Sequence, residues 1–176
     1  MIKKLISFDF DKTLILTPLE EEGKLMWEKH YKMKFPRKGW WSHSESLDLE
    51  VFKPEPDPWV LSEFTKFTSE DNYVFIATGR IKKLETHVEK VLDYNNIHKR
   101  SSPRTFGYDD LFTNTGGETF QFKCNLFEKI IKENSDSKEF IMYDDREEHL
   151  EKFCEWAKKQ DIVIKIYNVN LQKQIF

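Results

Sequence analysis

Two aspartates one residue apart are the first side chains in this sequence that could do chemistry. Asp9 and Asp11 follow a short apolar run at residues 5–8, and Thr13 comes two positions later. An apolar run of this kind is typical of a buried strand. Because a buried carboxylate must be paired with a cation or bind a metal ion, a strand that ends in two of them predicts a functional site.

Two further apolar runs also end in polar side chains. One ends in Thr78, and the other is followed by Asp144 and Asp145. Ligands of open parallel sheets bind beyond the carboxyl ends of the strands, where the strand order reverses. We therefore expect these three side chains to converge with Asp9 and Asp11 at one edge of a sheet.

Predicted strands and helices alternate along the chain. The strands are predicted at residues 3–10, 73–78, 110–113, 140–143 and 162–167, and the helices at residues 20–31, 58–67, 81–94, 122–132 and 147–160. This alternation predicts an α/β fold with a Rossmann-like, doubly wound parallel sheet of five strands. Residues 15–58 fit no simple sheet, and we interpret them as a small insertion or cap within a single domain that spans residues 1–176.

The composition argues against several classes of protein. The formal net charge of -3 provides no global basic field for nucleic acid, although a local basic patch stays open. Aromatic residues make up 15% of the chain, which is far from the composition of a disordered segment. The apolar start is too short and too acidic for a signal peptide, and no window approaches a membrane span. We expect a soluble, cytoplasmic protein with no membrane partner.

These polar positions resemble the motifs of the haloacid dehalogenase (HAD) superfamily. Its first motif is D-x-D-x-T, its second is a Ser or Thr that ends the next core strand, and its fourth is an acidic pair after the fourth strand. The matching residues are Asp9, Asp11, Thr13, Thr78, Asp144 and Asp145. The third motif is a lysine near the start of a helix, for which Lys123 is the better candidate and Lys129 the alternative.

The resemblance implies a magnesium-dependent phosphatase that forms an aspartyl-phosphate. It makes Asp9 the nucleophile and Asp11 the general acid and then the general base, with Lys123 offsetting negative charge. Four carboxylates repel one another unless a cation lies among them, and Mg²⁺ suits such a site because it takes hard oxygen ligands. The implied metal site comprises Asp9, the main-chain carbonyl of Asp11, Asp144 and Asp145.

The same motifs imply the substrate contacts. The hydroxyl of Thr78 and the backbone N–H groups around Gly79 would hold phosphoryl oxygens, although a helix N-cap is the alternative role for Thr78. Arg80 would bind phosphate or pair with a local acid. Thr13 would lie at the substrate site and, together with Asp145, orient the groups that contact the metal and the phosphate.

A narrower resemblance comes from the region after the first motif. Thr17 and Pro18, a helical Trp27, and the pair Trp40 and Trp41 are similar to the HAD domain of Swiss Army Knife RNA repair proteins. That resemblance implies phosphate removal from RNA ends, with an RNA or DNA 3'-phosphate or a nucleotide as the substrate. Two other functions stay open: a small-metabolite phosphatase with residues 15–58 as its lid, and a non-catalytic HAD-like binding module.

The two adjacent tryptophans have two interpretations. Trp40 and Trp41 would stack on bases, helped by nearby basic residues, or they would pack the insertion onto the core. The nearby basic residues are Lys32, Lys34, Arg37 and Lys38, and a second basic run comprises Lys99, Arg100 and Arg104.

Overall fold

The structure is a computed structural model that describes residues 2–67, 71–102 and 105–176. Its strands are β1 (Lys4–Phe8), β2 (Asn72–Ile81), β3 (Asp110–Asn114), β4 (Glu139–Asp144), β5 (Val163–Asn168) and β6 (Lys173–Gln174). Its α-helices are α1 (Glu20–Tyr31), α2 (Pro58–Thr65), α3 (Glu85–Tyr94), α4 (Thr119–Glu133) and α5 (Glu147–Ala157). Short 3-10 helices span Ser44–Leu47 and Lys82–Leu84. Within the described ranges, no helix is both long enough and apolar enough to cross a membrane.

The strands form one sheet in the order β3-β2-β1-β4-β5-β6. Strands β1 to β5 are parallel, and β6 pairs antiparallel with β5. The chain moves outward from β1 to β2 and β3, and then crosses to β4 on the other side of β1, so the strand order reverses beside β1. The predicted doubly wound parallel sheet is confirmed. The sixth strand is an addition that the sequence did not predict, because it has only two residues and both are exposed.

Helices cover both faces of the sheet, as the alternating pattern requires. On one face, α2 and α3 bury Val60, Phe64 and Val91 against the strands. On the other face, α4 and α5 bury Phe127 and Phe153. The apolar residues of each helix recur at helical spacing in the sequence, so this apolar stripe determines which side of the helix faces the sheet.

Several element boundaries differ from the prediction, and two of these differences affect the candidate site. Strand β2 continues past Thr78 to Ile81, with a shift in its register against β3 between these two residues. Helix α4 begins at Thr119 rather than at residue 122. Boundaries are set partly by tertiary pairing, which local apolar periodicity does not report.

The segment 15–58 leaves and rejoins the core at one place. Ile15 forms an isolated bridge with Pro56, and the N–H of Leu16 donates to the carbonyl of Glu55 at 2.9 Å. Its end leads into α2, where the Asp57 side chain caps the helix in front of a proline. Paired ends of this kind are typical of an insertion between two elements of a core. The division of the chain into core and insertion stays a prediction.

The segment has a small aromatic core of its own. Trp27, Trp40 and Phe52 are buried together, with Phe35 packed against them. Trp40 is 1% exposed, and its indole N–H donates to the Pro18 carbonyl at 3.2 Å. This packing holds α1 against the chain that follows it.

We expect Trp40→Ala to lower the free energy of unfolding by about 3–5 kcal/mol, because it empties the centre of this cluster. Gly23→Ala should also destabilise the fold, by about 1–3 kcal/mol, because its Cβ would lie 2.2 Å from a ring carbon of Trp40. Urea unfolding of both variants and of Gly39→Ala, whose Cβ would meet no atom within 4 Å, measures the differences. Because Gly39 has a positive φ of 77°, its alanine variant reports backbone strain without a steric clash. A Gly23→Ala variant as stable as the wild type would contradict the packing.

Candidate active site

Three carboxylates meet at the carboxyl edge of the sheet. Phe8 of β1 lies opposite Tyr143 of β4, so Asp9 and Asp144 follow paired positions on neighbouring parallel strands. Asp9, Asp144 and Asp145 each offer a carboxylate oxygen, and these oxygens lie within 4.8 Å of one another. The reversal of strand order beside β1 therefore brings these carboxylates together, as the sequence predicted.

Lys123 is the cation that faces this cluster. It lies on the first turns of α4, its side chain is 3% exposed, and its Nζ lies 2.7 Å from Asp9 Oδ1 and 2.7 Å from Asp144 Oδ2. The alternative, Lys129, is 69% exposed and lies 3.8 Å from Glu133 on the same helix. Of these two lysines, the structure brings only Lys123 to the carboxylates.

The electrostatics of the cluster leave excess negative charge. Burial raises the pKa of Asp9 to about 8; Lys123 opposes this shift, and Asp144 and Asp145 add to it. The pKa of Asp145 is also raised, mainly by burial and by Asp144. Burial would lower the pKa of Lys123, but attraction to Asp144 and Asp9 outweighs it and raises that pKa. One ammonium among three carboxylates is a site that favours an additional cation.

Asp11 points to a different partner. Its carboxylate accepts hydrogen bonds from Arg80 Nε at 2.9 Å and Nη2 at 2.8 Å, and from the Thr17 hydroxyl at 2.8 Å. It is not part of the three-carboxylate cluster. The backbone turns sharply just after Asp11, where Lys12 has a φ of 59°. Metal binding by the main-chain carbonyl of Asp11 stays a prediction.

Two threonines that we assigned to the substrate lie beneath the site. Thr13 is fully buried, and its hydroxyl donates to Asp145 Oδ1 at 3.2 Å, so it holds a carboxylate in place. Thr78 is also fully buried, and its hydroxyl accepts the N–H of Arg80 at 3.1 Å. Neither side chain lines the cavity, so the geometry does not support direct contact between the substrate and Thr13 or Thr78.

A cavity of about 430 Å³ opens above the carboxylates. Besides the three carboxylates and Lys123, its lining comprises Asp11, Lys12, Leu19, Trp41, Gly79, Arg80, Thr119, Arg146 and His149. Gly79 lies at the wall, where a Cβ would come within 2.8 Å of the side chain of Thr119, so the close approach favours glycine. The predicted placement of Gly79 at the site agrees with this lining.

The region from β2 to β6 identifies the relatives of this chain. Residues 68–174 match the HAD domain family 1 in Swiss Army Knife RNA repair proteins. The chain belongs to this family. The match begins after Asp9, Asp11 and the segment 15–58, so their arrangement comes from the structure and the sequence pattern.

Two solved structures are similar to this HAD domain, and both are of the HAD domain of effector protein Lem4 from Legionella pneumophila. For an inactive mutant the identity is 13% and the TM-score 0.49, with 96% of this chain and 86% of that chain covered. For the second structure the identity is 11% and the TM-score 0.48, with 95% and 86% covered. No relative was found among proteins with curated functions. Membership of the family supports a HAD-type hydrolase in general terms.

The two tryptophans of the HAD domain have different environments. Trp40 is 1% exposed in the aromatic core of the segment, so the prediction that it binds substrate is wrong. Trp41 is 36% exposed and lines the cavity, and the Arg80 guanidinium carbon lies 4.9 Å from its ring centroid. Trp40 therefore packs inside the segment, and stacking on bases stays a prediction for Trp41.

Arg80 is not free to bind phosphate. Its side chain is 1% exposed and forms a salt bridge with Asp11, which was the alternative that the sequence left open. The guanidinium borders the cavity, but its described contacts are with protein acceptors. The prediction that Arg80 binds the substrate is therefore wrong, and the alternative, pairing with a local acid, holds because Arg80 contacts Asp11.

Four residues of the two basic runs pair with acids within the fold. Lys34 lies 3.1 Å from Glu28, and Arg37 lies 3.4 Å from Glu45. In the second run, Lys99 lies 3.2 Å from Asp110, the buried Arg100 donates to main-chain carbonyls, and Arg104 lies outside the described residues. These paired charges provide little attraction for a polyanion.

Sequence reasoning missed Thr119 and His149 at the cavity. Thr119 lies four residues before Lys123 on α4, and residues at this spacing share a helix face. The spacing would have indicated Thr119 once Lys123 was chosen. His149 lies on α5, where burial and the nearby Arg146 lower its pKa. No sequence signal distinguishes His149 from an ordinary helix residue.

The cluster fits the Mg²⁺ that the HAD family generally uses. Three carboxylates are hard oxygen donors, and their excess negative charge is what a divalent cation would neutralise. Asp9, Asp144 and Asp145 would hold the ion. Asp11 and Arg80 already neutralise each other, so they do not compete for it.

We expect Mg²⁺ at about 100 times its dissociation constant at pH 6 to raise the melting temperature by about 5–10 °C. The same concentration should raise it more at pH 8, where fewer protons compete for the carboxylates. The raised pKa of Asp9 means that the folded, metal-free protein binds a proton more tightly than the unfolded chain does. The contribution of Asp9 to stability should therefore fall as the pH rises from the ordinary value of 3.8 toward about 8, and Mg²⁺ should offset that loss. Scanning calorimetry with Mg²⁺ or chelator measures the gain. An equal gain in Asp144→Asn would contradict the assignment.

Proposed function

We propose that this protein is a Mg²⁺-dependent phosphomonoester hydrolase that forms an aspartyl-phosphate on Asp9 and acts on 3'-phosphate ends of nucleic acid. One observation carries the proposal: the buried ammonium of Lys123 lies 2.7 Å from both Asp9 and Asp144 at the floor of the cavity. A carboxylate nucleophile needs such a cation, since otherwise it would repel the phosphate dianion.

The proposed reaction has two steps. Asp11, which is the anion paired with Arg80 in the resting protein, takes up a proton from solvent when the substrate binds. The Asp9 carboxylate then attacks phosphorus, the bond from phosphorus to the leaving oxygen breaks, and Asp11 gives that oxygen its proton. Asp11 then takes a proton from the water that attacks the aspartyl-phosphate, which releases phosphate and regenerates Asp9. Lys123 stabilises the charge on the transferring group throughout. When bound, Mg²⁺ supplies further neutralisation of the phosphoryl oxygens.

Other residues of the chain would support these steps. Thr13 orients Asp145 through its hydrogen bond of 3.2 Å. The N–H of Arg146 donates to Asp144 Oδ1 at 3.0 Å and holds that carboxylate toward Lys123. Thr119 offers a hydroxyl at the cavity wall for a phosphoryl oxygen, in place of the buried Thr78.

The rim of the cavity supports a leaving group with a flat apolar part. Leu19 is 54% exposed and Trp41 36% exposed, and both come from the segment 15–58. The terminal base of an oligonucleotide would stack on the Trp41 ring while its 3'-phosphate reaches Asp9. RNA is the preferred substrate in this proposal, because the family to which the chain belongs is named for RNA repair proteins.

A small-metabolite phosphatase is the second candidate. The same two rim residues belong to the segment 15–58, so that segment would act as a lid over a cavity of about 430 Å³. A cavity of this volume is in the range of small-molecule sites. The segment then determines which metabolite enters, and a nucleic-acid strand is not required.

A substrate panel tests the proposal and separates the candidates. It comprises 3'-phosphorylated RNA and DNA oligonucleotides, nucleoside monophosphates and sugar phosphates, each with Mg²⁺ and with chelator. The proposal expects release of phosphate from the oligonucleotides in Mg²⁺ and none in chelator. Turnover of sugar phosphates alone favours the lid. No turnover of any substrate supports a non-catalytic binding module.

We expect Trp41→Ala to raise KM for a 3'-phosphorylated oligonucleotide about 10-fold, since stacking on an aromatic side chain contributes about 1–3 kcal/mol per base. The KM for glycerol phosphate, which has no base, should change by less than about 2-fold. Trp41→Phe keeps an aromatic face and should retain most of the affinity. Steady-state kinetics with both substrates provide the measurement. An equal effect of Trp41→Ala on both substrates would argue against base stacking.

A further inference from the structure

We propose that Arg80 is a positioning residue that joins the segment 15–58 to Asp11. Through this junction, Trp41 at the cavity wall and Asp11, which protonates the leaving group, are oriented together. This inference rests on the proposed function for its catalytic consequence. The contact itself rests on geometry alone.

One side of the Arg80 guanidinium holds Asp11. Nε donates to Oδ2 at 2.9 Å and Nη2 donates to Oδ1 at 2.8 Å, so both carboxylate oxygens are engaged. Two parallel N–H donors on one carboxylate constrain its rotation as well as its position. Thr17, near the start of the segment, donates its hydroxyl to Asp11 Oδ1 at 2.8 Å. Asp11 is therefore held from two sides.

The other side of the guanidinium holds the segment 15–58. Nη1 donates to the main-chain carbonyl of Trp41 at 2.8 Å and to the Ser46 hydroxyl. The guanidinium carbon also lies 4.9 Å from the ring centroid of Trp41, a cation–π distance. The residue that lines the cavity and the turn behind it thus share one cation with Asp11.

The irregular end of strand β2 places Arg80 at the cavity. The register shift after Thr78 interrupts the regular alternation of β2, and the Thr78 hydroxyl accepts the N–H of Arg80 at 3.1 Å. The side chain is 1% exposed, and a buried guanidinium requires a compensating anion, which Asp11 supplies. Removing either partner leaves the other buried charge uncompensated.

Arginine is the residue type that this junction needs. Its planar fork presents donors in fixed directions, so one side can grip a carboxylate while another nitrogen reaches a carbonyl. A lysine has one nitrogen and cannot span Asp11, Trp41 and Ser46 at these distances. Displacing the segment therefore moves the guanidinium and, with it, Asp11.

Kinetics with two leaving groups test the catalytic consequence. The p-nitrophenolate leaving group departs with little need for protonation, whereas glycerol depends on general acid catalysis, which contributes about 10²–10⁴-fold. We expect Arg80→Lys to lower kcat for glycerol phosphate about 100-fold and for p-nitrophenyl phosphate less than about 5-fold. Equal losses on the two substrates, or no loss, would overturn the inference.

Arg100→Lys is the matched control for a buried arginine. Arg100 is 2% exposed, but it donates to the carbonyls of Phe67 and Gly107 at the other end of β2. The control should keep the wild-type ratio of kcat values for the two substrates. A changed ratio in the control would mean that loss of any buried arginine produces the effect, and would also overturn the inference.

Hydrogen exchange tests the contact without any turnover. In Asp11→Asn, the amides of residues 40–47 should exchange at least about 10-fold faster than in the wild type, because Arg80 loses its anion. Asp9→Asn, which leaves Arg80 and Asp11 intact, should keep wild-type exchange there. If no substrate is turned over, the proposed function fails, and this experiment alone tests whether Arg80 joins Asp11 to the segment 15–58. Unchanged exchange in Asp11→Asn would show that Arg80 does not join the two parts.

Discussion

Asp9→Asn is expected to lower kcat for phosphate release by about 10⁴-fold or more, the scale of loss when the nucleophile of a covalent mechanism is removed. The asparagine keeps the size of the side chain but offers no carboxylate to attack phosphorus. Its amide also loses the charged contact with Lys123 at 2.7 Å. Phosphate release under saturating substrate and Mg²⁺ measures the effect.

A matched control and a second readout accompany this variant. Asp136→Asn changes an exposed aspartate outside the cavity and should keep wild-type kcat. Acid-quenched wild-type enzyme should carry one phosphoryl group on the peptide that contains Asp9, and the Asp9→Asn variant should carry none. Full activity in Asp9→Asn would refute the proposed mechanism.

Lys123→Met is expected to reduce both stability and activity. In chelator, the free energy of unfolding should fall by about 3–5 kcal/mol, because buried carboxylates lose the cation that compensates them. The side chains of Lys123 and Asp144 are 3% and 1% exposed, so solvent screens this loss very little. We expect kcat to fall by about 10²–10³-fold, the scale for removing one charged donor from a transferring group.

Lys129→Met is the control on the same helix. Its side chain is 69% exposed and its ammonium lies 3.8 Å from Glu133, so its loss should change stability by less than about 0.5 kcal/mol. Mg²⁺ should stabilise Lys123→Met more than the wild type, because an ion would then be the main compensation for the carboxylates. Urea unfolding with and without Mg²⁺ provides the measurement. Equal behaviour of the two variants would contradict the bridging role of Lys123.

The sequence predicted the edge of the sheet where the carboxylates meet, because strand ends are visible locally. An apolar run followed by Asp9, and another followed by Asp144, required only that the two strands be parallel neighbours. Lys123 was identified by its position at the start of a helix, which the HAD pattern supplied. The structure brings Asp9 and Asp144 within hydrogen-bonding distance of the Lys123 ammonium.

The sequence did not predict which member of two neighbouring residue pairs lines the cavity. Thr78 and Arg80 are two residues apart, yet the register shift between Thr78 and Ile81 decides what lies at the surface of the site. Trp40 and Trp41 are adjacent and chemically identical, but only one lies in the aromatic core of the segment. Periodicity cannot resolve such pairs, since irregular segments have no repeating face.

By itself, the sequence determined the order of the elements, the doubly wound parallel sheet and the acidic edge, because apolar spacing and strand ends are local properties of a chain. Only the tertiary structure decided that Arg80 holds Asp11 and that Trp41 borders the cavity. The acceptors of Arg80 lie 34, 39 and 69 positions away from it, so no local pattern encodes those contacts. The direction of a buried charge depends on which acceptors packing brings within reach, and the whole fold determines that packing.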